Sequence, residues 1–498
     1  MDTATAAVAA KKEAASPRSA KVWTGIVSGA VAVLLLAYAG GPGYYVDELY
    51  FRVAGEHLAW GYADQPLLVP LLSWAQIALF GDSLTAIRVV PAVLGGVAVF
   101  VAGLTARELG AGRRGQVLAA CAAAASLATL AAGHVLHPTA VDHLVWVTAC
   151  WLVIRIIRTG DQRLWLAAGA VAGVGLLAKY LVVLLAVGLA AGLLIAGPRR
   201  ILLSRWAAGG TALALLIGAP GLVWQAVNGW PQLTMAGVLT SGDSGVVDFL
   251  VGQVLMIGPF LAPVWVAGLV ALLRRAEWRS YRLVAVAYLV MVPVLMLLGA
   301  EPRYTEGLLS VLLTAGCVRA ATPARRLWLG VAAVVNGVLA ALMVLPVLPV
   351  SMYTANPVLA ALGEEQFGQT GWPSLAAQVA AVHRALPESE RRRAVVYAQN
   401  YGEAGALDRY GPAYGLPPVY SGHNSYAGFG RPADAKDVVI AVGVDRAAFS
   451  ALFERCEVRG RLTFDVPHFE EGKELLVCVG PRRPWSSMWD GLRWTGTF

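Results

Sequence analysis

Eleven apolar stretches, each near the length a helix needs to cross a bilayer, recur along this chain between short arginine clusters. A helix rises about 1.5 Å per residue, so roughly 20 apolar residues cover a ~30 Å hydrocarbon core. The stretches run approximately over 22–40, 84–105, 115–133, 142–157, 163–178, 180–197, 206–224, 250–273, 281–299, 304–320 and 327–347. Charged residues make up 14% of the chain, against about 25% in a soluble domain, which excludes a simple cytosolic enzyme. The net charge of +8 is not a basic patch interleaved with aromatics, as nucleic acid would require; it punctuates the apolar stretches. The pattern predicts a polytopic α-helical membrane protein with about 11 transmembrane helices, the bilayer as its first partner and no nucleic acid.

Orientation follows from Lys and Arg, which favour short cytoplasmic loops. Lys11, Lys12, Arg18 and Lys21 precede the first stretch, and every second loop then carries a cluster, such as Arg107, Arg113 and Arg114, or Arg155, Arg158 and Arg163. The intervening loops are poor in basic residues and hold Asp47, Glu48, Asp64, Asp82, Asp142, Asp243, Asp248, Glu301 and Glu306, so the acidic chemistry is expected outside. Ala37-Tyr38-Ala39 mimics a signal-cleavage site, but the apolar run before it is longer than a usual signal core, and a retained anchor keeps the charge alternation paired. Residues 1–21 are expected to be a disordered cytoplasmic tail, 22–350 the transmembrane domain, and 351–498 a domain outside the plasma membrane.

From about residue 351 charged and turn residues become frequent, and β-rich runs at Ala394–Tyr397, Asp437–Val442 and Glu474–Val479 alternate with helical patterns at Ala376–Ala385 and Arg446–Glu454. These predict a C-terminal extracytoplasmic α/β domain. Of five cysteines, Cys456 and Cys478 flank a polar stretch there and are a disulfide candidate in an oxidising compartment, with two unrelated buried thiols as the alternative.

The loop after the first stretch, GGPGYYVDELYFRVAGEHLAWGYADQPLLVPLLSW, is too long for a connector. Leu49, Val53 and Leu58 recur at helical spacing, and Pro66–Ala78 is a second apolar helix too short to cross, so residues 44–80 are read as interfacial helices. Asp47 then stands at or near a helix start, where a carboxylate caps free N–H groups or serves chemistry. In HVLHPTAVDHL, Asp142 sits at the mouth of a span beside His134, His137 and His143; a zinc set is one reading and histidines bonded to loop carbonyls the other, since the spacing fits no specific zinc pattern. Lys179 and Arg303 are isolated cations on the acidic side, either snorkelling or pairing with an anion such as phosphate.

These segments resemble glycosyltransferase family 39, of the C-type superfamily of integral-membrane glycosyltransferases that includes protein O-mannosyltransferases and lipid A aminoarabinose transferases. DELYFRVAGEHLAWGYADQPLLVPLLSW is similar to that family's first outer loop, VDHLVWVTACW to its acidic fourth-span segment, GLLAKYLVVLL to its lysine segment and EPRYTEG to a late Arg-Tyr element; YAQNYGEAGALDRYG and LPPVYSGHNSYAGFG are similar to a segment of bacterial members. The resemblance implies a C-type glycosyltransferase architecture and inverting transfer of one sugar from a polyprenyl-phosphate donor to a glycan, lipid or protein acceptor at the outer face. It implies Asp47 as general base, Glu48 positioning the acceptor or Asp47, Asp142 binding sugar hydroxyls or a cation, and Lys179 and Arg303 holding phosphate. Asp64, Gln65, His137, His143, Tyr180 and Tyr304 join these as substrate-binding candidates, and Tyr401, Glu403, His423 and Asn424 as acceptor-binding candidates alongside packing roles. No cofactor is certain; a divalent ion has Asp47, Asp142 and His143 as weak candidate ligands. One departure stands out: the lipid A branch has a phosphate-contacting lysine before proline where this chain has Asp64-Gln65-Pro66, and a neutral amide cannot replace that charge. A multi-span transporter or lipid flippase is the competing class, and would favour internal repeats and charges in span centres, neither of which is evident.

Overall fold

The computed structural model describes residues 19–240, 245–319 and 322–497; most of the expected tail, including Lys11, Lys12 and Arg18, lies outside the described residues, as does Asp243. Two compact units emerge. One comprises the chain up to residue 39 with 88–227 and 239–345; the other comprises 40–87, 228–238 and 346–498. The loop after the first apolar stretch therefore groups with the C-terminal residues. Polar contacts described below tie this loop to residues beyond 400.

In the first unit every one of the eleven apolar stretches is helical, but they differ in length. Among the described residues five helices are long and apolar enough to cross a membrane: Leu84–Glu108, Pro138–Thr159, Arg205–Val227, Arg279–Leu297 and Pro323–Val344. Two more stretches are bent pairs, Arg113–Ala124 with Leu127–His134 at 59° and Val246–Ile257 with Ala262–Arg274 at 100°, which raises the count to seven if each pair is one span. The expected eleven spans are not reached on length and composition. The remaining stretches are shorter, Lys21–Ala37, Leu164–Ala178, Leu181–Ala196 and Glu306–Val318, because local breaks interrupt the apolar runs. One such break is Lys179, whose extended backbone separates two helices that hydropathy alone nearly fuses.

The helix Pro138–Thr159 shows how sequence sets the ends. His137 caps it, Pro138 occupies its first turn where a missing N–H costs nothing, and Gly160 ends it in the left-handed region at φ 77°. Lipid offers no hydrophobic gradient between helices, so association relies on close packing of small residues. Gly268 and Gly316 illustrate it: a Cβ at either would stand 1.9 Å from a carbonyl oxygen of the facing helix, Leu312 O or Val264 O. At the end rich in arginine, the buried Glu108 carboxylate accepts a 2.8 Å hydrogen bond from Arg155 Nη1 and another from Arg158 Nε.

The second unit contains a five-stranded sheet: β1 (Ala394–Ala398), β2 (Val419–Ser421), β3 (Val438–Val442), β4 (Phe453–Arg461) and β5 (Glu474–Pro481), in the order β2-β1-β3-β5-β4. The strands β2, β1 and β3 are parallel; β5 is antiparallel to both β3 and β4. β1 and β3 are buried throughout, as strands covered on both faces must be, and read as continuous apolar runs. Tyr397, Phe449, Phe453, Trp485 and Trp489 form the core at one face of the sheet. The helix predicted over Arg446–Glu454 ends at Ser450, and β4 begins at Phe453. Cys456 and Cys478 face each other across β4 and β5 and are joined by a disulfide.

Replacing Glu108 with alanine would leave two arginines facing each other in a largely buried site. The expected loss is about 3 kcal/mol, larger than for Arg158→Ala, measured as unfolding of the purified protein in detergent.

Candidate functional site

In the unit that carries the sheet, the helix Val46–Glu56 presents two acids in its first turn. Glu48 is fully buried, and its Oε2 accepts a 2.8 Å hydrogen bond from the Tyr45 N–H, so the capping role available to Asp47 is performed by Glu48. Asp47 lies half-buried near the positive end of the helix dipole. Its Oδ1 accepts a 2.7 Å hydrogen bond from the Tyr401 hydroxyl. Tyr401 opens the helix Tyr401–Tyr410, which packs on Val46–Glu56 through Gly405: a Cβ there would stand 2.9 Å from the Leu49 backbone. Arg52 bonds Asp82 and Asp408, fastening the same two helices.

Asp64 is brought close by a short loop in which Gly61 and Pro66 form a β-bridge and the Tyr62 N–H donates to Gln65 O. Its Oδ1 accepts a 2.9 Å hydrogen bond from Tyr50, whose ring stacks on Tyr401 with centroids 4.6 Å apart. Burial pushes the Asp64 carboxyl up to about 7, the Asp47 charge adds to this, and the Tyr50 hydrogen bond opposes it. Gln65 is 4% exposed, and neither its amide nitrogen nor its oxygen has a hydrogen-bond partner among the described residues.

The remaining candidates of this unit are enclosed. Glu403 is fully buried; its Oε2 accepts from the Gln399 and Asn400 N–H groups, and burial holds its carboxyl well above the usual range. His423 is also fully buried, and burial lowers it to about 4, so the ring is neutral. Its Nδ1 accepts from the Tyr401 N–H at 3.2 Å and its Nε2 lies 2.9 Å from Gly496 O, a pair that fits the Nε2–H tautomer. Asn424, at φ 47°, exchanges hydrogen bonds with the Gly496 backbone. For Glu403, His423 and Asn424 the acceptor-binding expectation meets groups engaged in packing and capping. Tyr401 touches a candidate catalytic group, Asp47.

In the helical unit a second constellation forms. Asp142, 7% exposed, accepts a 3.0 Å hydrogen bond from Trp146 Nε1 one helical turn on. Electrostatic interactions link Asp142 with Lys179, His143 and Glu306, and His143 Nδ1 lies 3.3 Å from Glu306 Oε1. Lys179 Nζ sits 4.6 Å from the centre of the Tyr304 ring, a cation–π contact. Arg303 pairs with Glu301 and is exposed. His137 caps its helix through the Thr139 N–H, and the Tyr180 hydroxyl is buried without a partner among the described residues. Among the described residues no three His, Cys, Asp or Glu side chains are grouped to hold a metal ion.

A family model described as dolichyl-phosphate-mannose-protein mannosyltransferase matches residues 64–224, a range that includes Asp64, Asp142 and Lys179. Among solved structures, ArnT from Cupriavidus metallidurans in the apo state is similar with a TM-score of 0.61 and 14% identity, over 91% of this chain and 97% of that one. The same protein bound to undecaprenyl phosphate gives 0.60 over the same shares. The oligosaccharyltransferase AglB from Archaeoglobus fulgidus, in complex with an inhibitory peptide and a dolichol-phosphate, gives 0.54 at 13% identity, over 85% of this chain and 69% of that one. No curated protein matches by sequence. The chain shares its fold with these solved structures.

Within this fold, the sequence reading passed over two supporting residues, and it named Tyr401 for acceptor binding rather than for a contact with Asp47. Trp146 lies four residues after Asp142, a spacing that puts both on one helix face. Gln253, buried inside an apolar stretch, donates to Pro302 O at 3.1 Å and accepts from Thr305 Oγ1 at 2.6 Å and Tyr288 at 3.2 Å, fixing the turn that carries Arg303 and Tyr304. A lone amide within a span was its signal. Tyr401 reaches Asp47 from 354 residues away, and no local pattern announces that contact.

The Asp64 shift makes stability depend on pH. Its carboxyl is raised from 3.8 to about 7, so the stability it contributes is full below about pH 4 and is lost as pH rises through about 7. Asp64→Asn should flatten the fall in unfolding midpoint across that window, read from thermal melts of both proteins at matched pH.

Proposed function

We propose that this chain is a glycosyltransferase of the membrane that moves a single sugar from a polyprenyl-phosphate donor to an acceptor hydroxyl at the extracytoplasmic face. Asp47 carries the reading: it is a half-buried carboxylate in the first turn of the loop helix, held by Tyr401, in a chain whose fold matches an undecaprenyl-phosphate-bound protein over nine-tenths of its length. The acceptor oxygen attacks the anomeric carbon opposite the phosphate. The bond from that carbon to the phosphate oxygen breaks, its electron pair leaves with the polyprenyl phosphate, and the acceptor proton passes to Asp47. Attack from the opposite side inverts the anomeric centre.

Lys179 and Arg303 supply the cations for the leaving phosphate, and Asp142, oriented by Trp146, takes hydroxyls of the donor sugar. Tyr304 under the Lys179 ammonium and Gln253 behind the Arg303 turn set their directions. The charge pattern of the loops supports an outward site, and the C-terminal sheet sits on that side in this reading.

The test uses purified protein in lipid with a panel of radiolabelled polyprenyl-phosphate sugars and an envelope acceptor extract. Asp47→Asn should lower transfer roughly 100- to 10,000-fold with the fold intact; transfer at the wild-type rate would overturn the assignment. Lys179→Met should chiefly weaken turnover of the donor, by about 10-fold or more. Repeating the assay in EDTA, then restoring Mg2+ or Mn2+, tests the divalent ion. Loss on chelation with recovery on readdition is what that role requires.

A further inference from the structure

We propose that Tyr401, from the C-terminal part of the chain, is the positioning residue for Asp47: its hydroxyl fixes the direction of the carboxylate for proton transfer. The inference rests on the reading of Asp47 as the base and assigns to the sheet-bearing unit a direct part in the reaction.

The geometry is specific to the hydroxyl. The bond from Tyr401 Oη to Asp47 Oδ1 is 2.7 Å, in the range of a charge-assisted O–H···O⁻ bond. The ring that carries the hydroxyl is held on its neighbours: it stacks on Tyr50 at 4.6 Å and on His423 at 4.8 Å, and His423 stacks in turn on Trp494 at 3.7 Å. The Tyr401 backbone is fixed as well, since its N–H donates to His423 Nδ1. Just before it, Asn400 caps the helix by accepting from the Glu403 N–H at 2.8 Å. A side chain fixed at its ring, its backbone and its helix start delivers its hydroxyl to one place, which is the condition for holding a reacting group without reorganisation.

The donor is also constant. Burial and the Asp47 charge push the Tyr401 phenol well above its ordinary range, so it keeps its proton wherever the carboxylate is ionised. Other titratable groups around it are Tyr50, which bonds Asp64 rather than Asp47, Asp64 itself, and the neutral His423. A hydrogen bond to a carboxylate stabilises its charged form, so removing this one should make Asp47 protonate at higher pH.

The experiment compares wild type, Tyr401→Phe, Asp47→Asn, and protein with 3-fluorotyrosine in place of Tyr401, all full length and in lipid. Tyr401→Phe keeps the stacked ring and removes the hydroxyl. It should lower kcat roughly 10- to 100-fold with little change in KM for the donor, and move the acidic limb of kcat/KM upward by about one pH unit. Fluorotyrosine, a stronger donor, should move the same limb downward; a limb belonging to Asp64 would not follow the acidity of this phenol. If Tyr401→Phe fails to fold, the fluorotyrosine protein alone decides by the direction of its limb. Wild-type kcat and an unmoved limb in Tyr401→Phe, with Asp47→Asn inactive, would overturn the role of Tyr401 and leave the base in place. An active Asp47→Asn would overturn both.

Discussion

Hydrocarbon cannot solvate a backbone polar group, and that constraint determines where this chain can keep its chemistry. Every apolar stretch becomes helix because only a helix satisfies its own N–H and C=O groups there. Charge is then admitted where a helix starts or breaks. Asp142 stands in the helix that Pro138 begins, Lys179 in the extended break between Leu164–Ala178 and Leu181–Ala196, and Arg303 in the turn Pro302–Thr305 before the next helix. Each is backed by a group that can exist in an apolar surrounding: an indole N–H for Asp142, an aromatic face for Lys179, and Gln253 for the turn of Arg303.

The sheet-bearing unit handles its acids differently, by enclosing them with donors. Glu48 takes the Tyr45 N–H; Glu403 takes two backbone N–H groups; Glu470 takes the Asn400 side-chain amide and pairs with Lys473. These bonds have a common effect on geometry. The first two start the helices Val46–Glu56 and Tyr401–Tyr410, and those two starts are where Asp47 and Tyr401 project. Gly405 lets the helices approach without a side chain between them. Buried carboxylates that take no part in the proposed reaction thus set the direction of the one that does.

Much of this was legible in the sequence, and the failures have physical causes. Period and hydropathy located every apolar helix, and the buried parallel strands β1 and β3 announced themselves as unbroken apolar runs. Hydropathy averages over a window, so it could not register that one lysine at 179 or a turn at Gly258 divides a stretch into shorter helices. β4 escaped because FERCEVRGR lies at a sheet edge, where charged residues are favoured and the apolar alternation is lost. Composition sees that residues 44–80 are apolar, and it cannot register that Arg52 bonds Asp408. Asp47 was singled out from a local motif, whereas its bond to Tyr401 is a tertiary contact that neither residue's neighbours encode.

The two tyrosine–carboxylate pairs show why position matters more than residue type. Tyr50 and Tyr401 stack on each other and each donates to an aspartate, yet the aspartates stand in different surroundings. Asp64 lies in a short loop beside Gln65, whose amide has no partner among the described residues, and is raised to about 7, so near neutrality it is neutral in a large share of molecules. Asp47 lies at the positive end of a helix, where the dipole favours negative charge. Surroundings that separate neighbouring acids in this way let one stay charged while the other sheds its charge, and so limit their mutual repulsion. In the helical unit Lys179 is drawn onto the Tyr304 ring and Arg303 onto Glu301, so under the proposed function a phosphate held there would exchange for those contacts rather than simply add to them.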